Sequence, residues 1–178
     1  MTEPADRSRG DDAQESWREC LECFEDRDYE ECISKLAAYG MALGYRRWPV
    51  ILKMGENALL CSQIYLICQL RLGQRFEAKG TMMLLGIGLD DKYKKDQWWW
   101  EILQLTYGEA TLENVLRVAR DERERILTKH YCAERLVTER KFEAAIPLFS
   151  EVIESSLESE EKRVALARIE WLQRQERA

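Results

Sequence analysis

The stretch from Lys129 to Ile153, KHYCAERLVTERKFEAAIPLFSEVI, constrains this chain more than any other. Its apolar residues recur at helical spacing, which predicts two amphipathic helices joined by a tight turn. The small and aromatic residues fall where closely packed helices need them. Ala133 and Ala145 let the backbones approach, and Phe142 and Phe149 plug the seam.

Similar patterning runs through the rest of the chain. Trp17, Cys20, Leu21 and Phe24 mark an apolar helix face, and Asp26-Arg27-Asp28 reads as a turn. Tyr29, Cys32, Ile33, Leu36 and Ala37 then give a second helix ending near Gly40 or Gly44. Trp48-Pro49 opens a helix expected to run to about Leu72, apolar on much of its circumference, with Gly73 at its end. Its expected partner spans Arg75 to Leu85, where Gly80 permits close packing, and Gly86 and Gly88 break the pattern. Asp90 or Asp91 is placed to cap a helix carrying Trp98, Trp99, Trp100, Leu103 and Tyr107, which Gly108 ends. Thr111 is a candidate N-cap for a short helix, and Asp121 begins the next one. A last helix, from about Ser159 to Gln175, presents Val164, Leu166, Ile169 and Leu172, with a polar opposite face suited to closing a stack. No stretch of useful length alternates with period two. The expectation is an all-α chain of eight or nine helices in antiparallel pairs.

With 178 residues the chain can bury one substantial core, so one domain is expected, over residues 15–178. Residues 1–14 read as a disordered acidic lead. A net charge of -6 argues against a general phosphate-backbone binder, which needs a basic surface. No apolar run approaches the ~18 residues that span a bilayer. The polar N-terminus has no apolar signal core, so the expected location is cytoplasmic. The six cysteines lie among helix-type residues and read as small hydrophobes in a reducing compartment.

The last hairpin resembles the tetratricopeptide-repeat family. That family places a small residue midway along its first helix, an aromatic just after the turn, and alanine three residues later; here these are Ala133, Phe142 and Ala145. Asp28-Tyr29-Glu30-Glu31-Cys32-Ile33 looks like a second copy, with Cys32 in place of alanine. Gly73-Gln74-Arg75-Phe76-Glu77-Ala78 looks like a third, out of register by about one residue. The chain departs from the family at the turn glycine, which is Arg27 in the first copy and Arg140 in the last. The proline that typically follows the second helix is absent from all three. The run from Trp98 to Ile126 is similar to the aromatic helix, glycine and short helix preceding a terminal repeat in some bacterial members, the NlpI lipoprotein type among them. No lipobox accompanies it.

The resemblance implies a right-handed α-solenoid of three to four hairpins plus a C-terminal capping helix. It implies a protein-binding adaptor or scaffold that takes a partner's peptide or helix in a groove, or else a structural subunit of a stable oligomer. In the family the concave face is lined by outward residues of each first helix. Carried over, these are Trp17, Leu21 and Glu25 in the first hairpin and His130, Glu134 and Thr138 (or Val137) in the last. His130 and Glu134 do not match the lysine and asparagine of family members that clamp a carboxylate-ended tail.

Little else points to chemistry. Cys20, Cys23 and Cys32 lack a nearby fourth ligand for structural zinc, so buried thiols are expected and no metal or cofactor. His130 and Cys132, two apart on a helix, point about 200° apart and cannot act as a base and nucleophile pair. Gly86-Ile87-Gly88 lacks the strand and lysine of a phosphate loop. No enzyme activity is expected. Trp98-Trp99-Trp100 spans about 200° of a helix, so one or two of the three are expected to pack in the core and at least one to approach the surface. The alternative to core packing is that one indole, with Trp99 the candidate, anchors a partner. The mixed charges from Arg117 to Lys129 read as a solvated helix face.

Overall fold

The computed structural model describes residues 4–45, 57–87 and 97–176, and among these it contains nine helices and no strand. In chain order they are α1 (Pro4–Asp26), α2 (Tyr29–Ala42), α3 (Ala58–Arg71), α4 (Arg75–Ile87), α5 (Gln97–Tyr107), α6 (Leu112–Val118), α7 (Glu122–Thr138), α8 (Phe142–Glu154) and α9 (Glu160–Glu176). The all-α expectation therefore holds. The chain divides into two compact units, Met1–Gln74 and Arg75–Ala178, where the sequence suggests one domain. The helix ending at Arg71 and the one starting at Arg75, expected to pair, fall in different units. The opening at Trp48-Pro49 and the cap at Asp90 or Asp91 lie outside the described residues.

In the N-terminal unit α1 packs along α2, and α2 packs on α3. Trp17, Cys20, Leu21 and Phe24 of α1 are buried, with Cys32 and Leu36 of α2. The helix α1 begins at Pro4, inside the stretch read as a disordered lead, and Ala13 is already buried. The turn that follows holds Arg27 at φ 66°. There the Asp28 N–H donates to the Cys23 carbonyl, 2.9 Å away, and the Asp28 carboxylate caps α2 by accepting from the Glu31 N–H.

The C-terminal unit is built around α7, which packs against α5, α6, α8 and α9. Thr111 caps α6 through the Asn114 N–H, and Asp121 caps α7 through the Glu124 N–H, as their positions in the sequence suggest. Ala133 of α7 and Ala145 of α8 have no exposed surface, and Phe149 fills the seam beside them. Phe142 closes its end edge-on against Trp171, with ring centroids 5.6 Å apart. The turn repeats that of the first hairpin: Arg140 lies at φ 60°, and the Lys141 N–H donates to the Leu136 carbonyl at 2.8 Å.

Gly73 makes the same turn at φ 76°, with the Gln74 N–H on the Gln69 carbonyl. What differs is the aromatic that follows. Tyr29 and Phe142 stand two residues after the left-handed residue and are half-buried, whereas Phe76 stands three after it and is 87% exposed. One residue turns a helix by about 100°, enough to carry a side chain from the seam to solvent. Gly86, read as a breaker, lies within α4.

Candidate protein-binding surface

Helix α7 packs against four helices, and this decides the fate of the residues expected to line a groove. His130 and Glu134 point inward, with 1% and 0% of their surface exposed. Thr138 is half-buried and its hydroxyl donates back to the Glu134 carbonyl. In the other unit Trp17 and Leu21 are core residues, Trp17 resting against Tyr39 with centroids 5.0 Å apart, and Glu25 is half-buried. Trp17, Leu21, His130 and Glu134 thus correct the expected groove: they belong to the interior. The expected set is also divided between the two units. Only Glu25, Trp99 and Thr138 reach the surface, each partly.

The interior around His130 carries unusual charge. Arg168 of α9 donates from Nε to Glu134 Oε1 at 2.8 Å, and both side chains are buried. Tyr131 donates its hydroxyl to Glu161 Oε1 at 2.9 Å. His130 packs edge-on against Tyr131 and Phe149, and its Nδ1 has no hydrogen-bond partner. Burial pushes the imidazole below the ordinary histidine range, and nearby Arg168 adds to this; the Glu134 and Glu161 carboxylates pull the other way. The imidazole is therefore neutral at physiological pH, a packing group beside a buried ion pair. Together these contacts fix α9 onto α7 across thirty and thirty-four residues of sequence.

Sequence reading missed Arg168. The spacing Glu161, Val164, Ala165, Arg168, Leu172 is one helical face, and it is the buried one. The presence of Ala165 and Leu172 on that face was the available signal. Leu166, expected inside, is about half exposed.

The run from Arg117 to Lys129, expected to be a solvated face, is only partly so. Glu124 is buried and takes the Arg120 backbone N–H at 2.7 Å together with the Arg120 guanidinium. Ile126, Leu127 and Thr128 are buried beside it. Of the three tryptophans, Trp98 is the core residue: its Nε1 donates to Thr128 Oγ1 at 2.9 Å. Trp99 and Trp100 are half-buried. Arg135 clips the loop after α5 to α7, donating to the Ala110 carbonyl at 3.0 Å.

The exposed apolar surface lies elsewhere. Among the described residues, the large hydrophobic side chains that are exposed include Phe76, Met83 and Leu84, all on α4. With Gly80 they occupy positions i, i+4, i+7 and i+8, one stripe along the helix. A Cβ added at Gly80 would meet nothing within 4 Å, so the middle of the stripe is an open notch. The opposite face of α4 holds Ala78, Met82 and Leu85 in the core. The cations beside the stripe are engaged within the unit: Lys79 with Glu109 at 3.6 Å, and Arg75 over the Tyr107 ring at 5.1 Å. Scattered apolar residues are ordinary on a surface, whereas these three are aligned on one helix.

Among the described residues no helix is long and apolar enough to cross a membrane, and no three His, Cys, Asp or Glu side chains are placed to hold a metal ion. Comparison with protein-family models, curated proteins and solved structures finds no match to this chain.

Proposed function

We propose that the chain is a non-enzymatic binding adaptor of tetratricopeptide-like character, its hairpins stacking as an α-solenoid to hold a segment of another protein. The observation that carries this reading is the Phe76, Gly80, Met83, Leu84 stripe on α4. The occupant is an amphipathic helix presenting its apolar face. The charge pattern supports that choice, because Lys79 and Arg75 already have intramolecular partners and leave the stripe itself apolar. Phe76 is the natural anchor, with the Gly80 notch receiving a side chain of the incoming helix.

The test is affinity capture from native lysate with the wild type and with Phe76→Glu and Leu84→Glu variants of unchanged melting temperature. The reading expects one protein to be retained by the wild type and lost from both variants. Retention by variants and wild type alike would overturn it. A second reading, a structural subunit of a stable oligomer, draws on the same open notch, which also suits close approach by another subunit. It predicts that the pure protein's mass by light scattering exceeds 21.0 kDa, and that Phe76→Glu returns it to that value.

A further inference from the structure

The seam between α1 and α2 contains a pair of thiols that the binding reading does not use. Cys20 and Cys32, twelve residues apart, bring their sulfurs to 3.8 Å. Each thiol also reaches the other residue's backbone: Cys20 Sγ lies 3.7 Å from the Cys32 carbonyl oxygen, and Cys32 Sγ lies 3.5 Å from that of Cys20. This reciprocity places the two residues directly opposite one another across the seam. Both are completely buried. A third thiol, Cys23, sits one turn further along α1 and is half-buried. Two thiols in contact can be joined by two-electron oxidation.

We propose that Cys20 and Cys32 form a redox-sensitive latch, a reversible disulfide that ties α1 to α2 in the presence of a small-molecule disulfide oxidant such as glutathione disulfide. Closing the bond brings the sulfurs from 3.8 Å to about 2.05 Å. One cysteine loses its proton and attacks a sulfur of the oxidant. The oxidant's sulfur–sulfur bond breaks, and one glutathione leaves as a thiolate that takes up a proton. The second cysteine, likewise deprotonated, displaces the second glutathione from the mixed disulfide. Two protein thiols are oxidised, and one glutathione disulfide is reduced to two thiols. The pair's mutual contact and burial hold the Cys20 thiol well above the ordinary cysteine range, so reaction proceeds through opening of the hairpin and is slow in the closed fold. The bond then closes a short loop and raises the hairpin's stability.

The experiment equilibrates the full chain in glutathione buffers from reducing to oxidising, at a temperature just below the melting transition. Thiols are then trapped by alkylation and the cross-linked peptides mapped. The latch predicts one Cys20–Cys32 peptide, four alkylated cysteines in place of six, and a melting temperature raised by about 5 °C or more that dithiothreitol reverses. Cys20→Ser and Cys32→Ala each abolish the link and the shift, whereas Cys23→Ser abolishes neither. Six alkylated cysteines across the whole series would overturn the proposal, as would a bond that contains Cys23, or a Cys20–Cys32 bond that leaves the melting temperature unchanged. The mapping on wild type stands even where a substituted chain fails to fold.

Discussion

The hairpins α1/α2 and α7/α8 share one turn and differ in what holds them. In each, an arginine takes the left-handed conformation and the next N–H reaches back five residues. Their seams diverge. The first is closed by facing thiols, Cys20 against Cys32, among aliphatic and aromatic neighbours. The second is closed by Ala133, Ala145 and Phe149 and tied to a third helix by the buried Glu134–Arg168 pair. The comparison teaches that the turn is a local device, specified by a few residues, whereas anchoring depends on partners distant in sequence. A buried ion pair of this kind is costly to desolvate and contributes little net stability, but breaking it leaves an uncompensated charge in the core.

Four experiments can break or sharpen this contrast. The largest effect belongs to Arg168→Ala, which strands the Glu134 carboxylate; urea melts are expected to show a loss of about 3–5 kcal/mol. The double change Glu134→Leu with Arg168→Met restores stability to within about 1 kcal/mol of wild type. Hydrogen exchange should accelerate in α7 to α9 and stay unchanged in α1 and α2; equal acceleration in both hairpins would erase the distinction.

Ala145→Trp comes next, forcing a large ring into a seam with no exposed surface and costing about 3 kcal/mol or more. An unchanged thermal midpoint would mean that the seam lies elsewhere.

The turns provide a matched pair of smaller effects. Arg27→Gly and Arg140→Gly each remove a left-handed non-glycine residue and should stabilise by roughly 0.5–1 kcal/mol, after allowing for the extra freedom of glycine when unfolded. Gains of opposite sign at the two sites, measured by the same urea melts, would show that the turns are not equivalent.

The smallest effect is that of His130. Its folded pKa is depressed, so it stays neutral in the fold while the unfolded chain takes up a proton. Its contribution is therefore complete above the ordinary value of 6.5 and is lost as the pH falls below that value towards the folded one. His130→Gln should flatten this part of the melting-temperature profile between pH 7 and pH 5. An unaltered profile would place the titration on another group.

Local elements were legible in the residues. Thr111 and Asp121 are capping side chains at the positions where polar residues precede apolar periodicity. Ala133, Ala145 and Phe149 meet in the seam they were expected to fill. The one-residue slip near Phe76 was also visible, but its consequence, an aromatic turned to solvent, needed the helix to be placed. What could not be read was which face of α7 looks outward. Periodicity identifies an apolar stripe, and α7 touches four helices, so its polar residues are buried too. Glu134 reads as a surface residue because its partner, Arg168, stands on a helix about thirty residues away, and His130 is buried one turn from it. A charge pair satisfied at that range leaves no local pattern.

The adaptor reading depends on whether another protein meets the α4 stripe. Replacing Leu84 with a photo-crosslinking phenylalanine analogue, and Arg117 likewise as an exposed control, tests this directly in native lysate. The account predicts that position 84 captures one protein through a peptide with apolar residues at helical spacing, and that position 117 does not. Equal labelling from both positions, or no product from position 84, would contradict it.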